Sequence, residues 1–151
     1  MLTFHVTLHA RSPDVAPGIS LELRGLKLPT LIVPPTALAH PFALTFEEAA
    51  LALDSLERMF VEPDGSFVWV SSKTTTSDAE RWQIDGNLFD RNGRLLLVDL
   101  KGTCAKADFD RLLSAFGWPT TPVMFQLARE AVFLDEPNFR TYARRPANKP
   151  V

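Results

Sequence analysis

The stretch Arg81–Gly102, RWQIDGNLFDRNGRLLLVDLKG, constrains the fold of this chain more than any other. Two apolar-alternating runs, Arg81–Phe89 and Arg94–Lys101, flank Asp90-Arg91-Asn92-Gly93. Runs of this kind around a turn sequence form an antiparallel hairpin. Two turns fit. One is a two-residue type I′ loop at Asn92-Gly93, the stronger dipeptide signal. The other is a three-residue loop, a type I turn from Asp90 to Gly93 that closes as a bulge.

The choice matters because a one-residue slip moves every side chain to the other face. The two-residue loop sets Arg91 opposite Arg94 and leaves both faces mixed. The three-residue loop sets Asp90 opposite Arg94. It gathers Trp82, Ile84 and Leu88 with Leu96, Val98 and Leu100, and puts Gln83, Asp85, Asn87, Asp99 and Lys101 on the other face. Segregated faces fix pairing in a half-buried sheet, so the three-residue loop is expected. It places Asp85 directly opposite Asp99, a destabilising like-charge pair. Lys101 as a diagonal neighbour, water or a divalent cation would offset it.

The rest of the chain supplies more strands and two helices. Leu2–His9 alternates strictly, as a half-exposed strand does. Ile19–Leu23 and Leu26–Val33 read as short strands about Gly25, with Pro29 demoting the second to an edge. Thr36–Leu44 is a connector. Thr45 and Glu48 have capping-box spacing, which predicts a helix from there to about Arg58. Its apolar stripe is Phe46, Ala49, Ala50, Leu53 and Leu56. Met59–Glu62 and Ser66–Val70 form a hairpin about Pro63-Asp64-Gly65. Ser71–Glu80 is polar and loop-like. A second helix is expected over Thr103–Phe116, ended by Gly117 and Pro119. Val123–Leu127 and Ala131–Leu134 read as strands. The moderately basic tail after Pro137 is expected to fray.

This order predicts an α+β fold: a largely antiparallel sheet built from hairpins, with two amphipathic helices packed on one face. The 151 residues suit a single domain, 1–151. Within it fall N-terminal strands and a Pro-rich connector (1–44), a helix-hairpin-hairpin-helix-strand core (45–136) and a fraying tail (137–151).

Formal net charge is −2, with no basic excess of the kind that marks nucleic-acid or anionic-membrane binding. The single cysteine, Cys104, suits a reducing compartment. The start of the chain has neither the charge nor the apolar run of a signal peptide, and no run approaches the ~20 apolar residues of a membrane helix. A soluble cytoplasmic protein is expected.

The candidate site is Asp85, Asp99 and Lys101. Two carboxylates can hold a divalent cation that activates water, and an adjacent lysine can neutralise charge developing at a scissile phosphate. The segment resembles the core of the PD-(D/E)XK nuclease superfamily. Ile84-Asp85 stands where that family places its Pro-Asp pair, and Asp99-Leu100-Lys101 matches its D-x-K, with Asp where Glu is commoner. The element order from Thr45 to Leu127 is also similar. The resemblance implies Mg²⁺ or Mn²⁺ on Asp85 and Asp99, Lys101 beside the attacking water, and a nucleic-acid substrate. It also implies an acid on the first helix, for which Glu47, Glu48 and Glu57 are all candidates. The plain alternative is a solvated sheet face, which carries these same residue types, with no cofactor.

Other residues carry less. Cys104 opens the second helix, where the helix dipole would lower its pKa, but His5, His9 and His40 lie far off in sequence, so an inert thiol is expected. His5 and His9 share a strand face about 13 Å apart, too far to ligate one metal, and are read as surface histidines. Trp69, Trp82 and Trp118 are read as core; Phe133 and Phe139 would mark a partner surface if exposed. The first functional expectation is therefore a binding or accessory module for a protein partner or small ligand, engaged through its sheet face or its loops, with an apolar pocket or patch away from the acids. The alternatives are a metal-dependent phosphodiesterase and a homo-oligomer paired through an apolar edge at Leu28–Val33.

Overall fold

The computed structural model describes residues 1–71 and 81–145. Among these residues nine strands form one antiparallel sheet: β1 (Leu2–Ala10), β2 (Ala16–Leu23), β3 (Leu26–Ile32), β4 (Met59–Val61), β5 (Ser66–Val70), β6 (Gln83–Arg91), β7 (Arg94–Cys104), β8 (Val123–Leu127) and β9 (Phe133–Asp135). Their order is β2-β3-β9-β8-β1-β7-β6-β5-β4. Three helices, α1 (Phe46–Asp54), α2 (Lys106–Ser114) and α3 (Glu136–Arg144), cover one face. The architecture is α+β, as the strand and helix patterns predict. Most of the expected Ser71–Glu80 loop and the end of the expected tail lie outside the described residues.

The strand that opens the chain lies inside the sheet. Its apolar side, Leu2, Phe4, Val6, Leu8 and Ala10, is buried beneath the helices. Thr7 on the other side pairs with Asp99 of β7 and Gln126 of β8. The core between sheet and helices is aromatic. Phe125 and Phe139 stack at 4.0 Å, and Phe109 packs against Phe4 at 5.3 Å.

The central turn differs from expectation. Arg91 pairs with Arg94, and Asn92 and Gly93 both have positive φ, at 53° and 83°. This is the two-residue type I′ loop. Its register would have mixed the faces, but the ladder shifts between Phe89 and Asp90: Phe89 pairs with Leu97 and Asp90 with Leu95, leaving Leu96 as an extra residue. That bulge changes the parity of the rest of the hairpin. Ile84, Leu88, Val98 and Leu100 return to the core, and Leu95 is buried as well. The drive to segregate faces was correctly read, but a bulge satisfies it, not the turn.

The same hairpin tip seats α1. Leu95 N–H donates to Leu44 O at 3.1 Å and Phe46 N–H to Gly93 O at 3.0 Å, so the entry to α1 is tied to the start of β7. Thr45 and Glu48 form the capping box. Phe42, placed in a mere connector by its neighbours in sequence, is fully buried.

Four further expectations are corrected. β3 is not an edge, because β2 flanks it on one side and Leu31 pairs with Phe133 of β9 on the other; β2 and β4 are the edges. The helices are shorter, ending at Asp54 and beginning at Lys106, because β7 runs on through Thr103 and Cys104. The chain after Pro137 does not fray at once: residues 136–144 form α3. The Asp135 carboxylate caps that helix by accepting from Asn138 N–H at 2.9 Å, and Phe139, Tyr142 and Ala143 bury its inner face. The helices on the covered face therefore number three among the described residues, not two.

Candidate functional site

The face of the sheet opposite the helices is covered at one end only. There Val15, Ala37 and Met124 form a small second core with Leu31, Val33 and Phe133 packed against it. The remaining part carries Asp85, Asp99 and Lys101, all exposed on one face. The bulge alters how they meet. Asp85 stands opposite Lys101, and Asp99 stands opposite Asn87. The two acids are diagonal neighbours, a relation that puts Cβ atoms up to about 7–8 Å apart. The expected like-charge pair across the ladder does not form, and no cation is required to relieve it.

Each carboxylate has a local partner. Thr7 Oγ1 donates to Asp99 Oδ1 at 3.0 Å, and Gln83 Nε2 donates to Asp85 Oδ1 at 3.1 Å. The cross-sheet rows are Val68–Asp85–Lys101–His5 and Ser66–Asn87–Asp99–Thr7–Gln126. Apart from Val68 these are hydrogen-bonding residues, on a solvated surface that also exposes Phe60 and Phe89. Among the described residues no group of three His, Cys, Asp or Glu side chains is close enough to hold a metal. The candidate helix acids do not join the face. Glu47 and Glu48 lie on α1, which packs on the helix side of the sheet, and Glu48 is engaged in the capping box. Glu57 follows α1 and its backbone carbonyl accepts from Trp69 Nε1 at 2.9 Å.

The other singled-out residues resolve plainly. Cys104 ends β7 and is fully buried, and burial pushes its thiol up to about 12. His5 is exposed, but His9 is buried, with Nε2 3.3 Å from Gln126 Oε1 and its ring against Phe133. Burial lowers the His9 pKa, partly countered by Gln126 and the Asp99 charge. Trp69 is core, with Trp82 edge-on at 4.8 Å. Phe139 is fully buried and Phe133 half-buried, so neither marks an exposed surface.

An apolar groove lies elsewhere, at the corner between α1 and the edge strand β4. A groove of about 570 Å³ runs there between Phe46, Ala50 and Leu51 of the helix and Val61 of the strand with Pro63 just beyond it. Leu51 is 72% exposed. Phe60, on the opposite side of the same edge, is 60% exposed. Glu47, Asp54 and Glu62 form the groove's rim. Sequence reasoning missed this corner although a signal was present. Leu51 falls outside the buried stripe of α1, and Met59-Phe60-Val61 is apolar without alternation, so a strand there must expose one apolar side.

No family model matches this chain, and no curated protein or solved structure is significantly similar to it.

Proposed function

We propose that this chain is a binding module that presents the α1–β4 corner to a protein partner. The observation that carries the reading is Leu51, exposed beside an apolar groove with acidic residues at its rim, at an open sheet edge. Exposed apolar surface with a polar rim is the signature of an interaction site. A reducing, cytoplasmic setting suits the one cysteine, which is buried and free.

Site-specific photocrosslinking tests the reading. A crosslinker at position 51 should give a discrete heteromeric adduct in extract of the source cells, and one at position 97 on the open face should not. Unlabelled protein should compete the adduct away, and unlabelled Leu51→Glu should not. Equal labelling from both positions, or an adduct of two copies of this chain, overturns it; the latter favours the homo-oligomer.

A second reading is the metal-dependent phosphodiesterase of the PD-(D/E)XK type, with Mg²⁺ or Mn²⁺ on Asp85 and Asp99, Lys101 beside the attacking water, and nucleic acid as substrate. One observation favours it: the three side chains share an open face. The diagonal placing of the acids and the distant helix acids weigh against it.

A further inference from the structure

The groove at the α1–β4 corner continues past Pro63 into a neighbouring depression lined by Asp64, Asn87, Phe89 and Asp90, with Phe46, Glu47 and Pro63 common to both. Five carboxylates line this continuous surface, Glu47, Asp54, Glu62, Asp64 and Asp90, and among the described residues neither depression has a lysine or arginine in its wall. The chain as a whole is only two charges negative, so the acidity is concentrated here. Asp64 is held in its charged form, its pKa lowered by the Ser66 hydroxyl and backbone N–H.

The strand beside the groove has backbone to offer. Glu62 N–H donates to Ser66 O at 2.8 Å, and Val70 N–H to Arg58 O at 3.3 Å. In an antiparallel ladder bonded and non-bonded pairs alternate. The backbone of Phe60 therefore turns toward Val68, and the N–H and C=O of Val61 turn toward the open edge. A helix has no free main-chain groups to match them; an extended segment does.

Resting on the binding-module reading above, we infer that the partner element is an extended segment, added as a tenth strand along β4, whose groove-facing residues, every second one, set an apolar side chain between lysines or arginines. Its apolar side chain seats against Phe46, Leu51 and Val61. Its cations meet Glu47, Asp54 and Glu62 at the rim. A second copy of the chain fits poorly, because two β4 edges brought together would oppose acid to acid.

Three capped heptapeptides test this against the isotope-labelled protein by amide chemical-shift mapping: Ser-Lys-Ser-Val-Ser-Lys-Ser (the Lys-Val peptide), and the same sequence with both lysines replaced by serine (the Ser-Val peptide) or by glutamate (the Glu-Val peptide). The Lys-Val peptide should shift amides of residues 46–54 and 59–63. Its affinity should fall about tenfold in the double variant Asp54→Lys, Glu62→Lys. Asp85→Lys with Asp99→Lys, which makes the same change in net charge on the open face, should leave binding unchanged. A proline at the central valine should abolish it, since the added strand then lacks a donor. If the Ser-Val peptide binds the same amides as tightly, the charge assignment is overturned and the groove reading stands. If the open-face variant weakens binding as much as the rim variant, the attraction is non-specific and the inference is overturned. If none of the peptides shifts the corner, the groove reading itself falls.

Discussion

Asp85 lies directly across the β6–β7 ladder from Lys101, and this pairing exists only because Leu96 is bulged out between Leu95 and Leu97. Without the bulge the two side chains would point to opposite faces. The relation turns an anticipated repulsion into a favourable cross-strand neighbour. Both groups are exposed, which keeps the pair's effect on stability small.

Asp85→Asn should therefore change stability by no more than about 0.5 kcal/mol in urea unfolding. Excess Mn²⁺ should leave the melting temperature of both wild type and variant unchanged. A metal bound only by the folded state at about 100 times its Kd would raise stability by about 2.7 kcal/mol. Such a rise in the wild type, lost in Asp85→Asn, would instead support the phosphodiesterase reading.

Two glycines of the central hairpin separate backbone strain from steric conflict. Gly93 has φ of 83° and open space where a Cβ would stand, so Gly93→Ala should cost about 1 kcal/mol through backbone strain alone. Gly86 has no such φ, but the Phe67 ring occupies its Cβ position. Gly86→Ala should cost more than Gly93→Ala and should be relieved by Phe67→Leu. Equal costs, or no rescue, would show that the ring does not depend on that glycine.

Stability should fall as pH drops through the ordinary histidine range, and His9 should be a cause. Its folded pKa lies below the ordinary 6.5 because burial disfavours the cation. The unfolded chain then takes up the proton first. The contribution is complete above about pH 6.5 and is lost as pH falls from there toward the folded value. Urea midpoints between about pH 7.5 and 5 should drop less in His9→Gln than in the wild type. Parallel curves would assign the loss to other groups.

Phe139→Ala tests α3 as part of the core. Phe139 is fully buried between Phe125 at 4.0 Å and Phe109 at 5.7 Å. Truncating a phenylalanine in such a site costs about 3–5 kcal/mol. A loss below about 1 kcal/mol would mean that residues 136–144 dock only loosely and that the core closes without them.

The sequence by itself determined the local elements, because their causes are local. Alternation in Leu2–His9, the Thr45–Glu48 capping box and the turn at Pro63-Asp64-Gly65 each read true. It also determined that Asp85, Asp99 and Lys101 share a solvated face, because only segregated faces bury enough apolar area. The α3 helix was legible too, in the Asp135 cap and the spacing of Phe139, Tyr142 and Ala143, but its prolines and basic residues pointed to a frayed tail.

Only the tertiary structure decided the rest. The Leu96 bulge lies outside the turn dipeptide, and it fixes which charge faces which. Pairing of β1 with both β7 and β8 joins residues about a hundred positions apart, a contact no local pattern encodes. That pairing buries His9 with Gln126. Sheet order likewise left β4 as an edge beside α1, so the exposed Leu51 stands over an acidic groove. Exposure of an apolar side chain depends on what the rest of the chain leaves uncovered, and that is a property of the assembled fold.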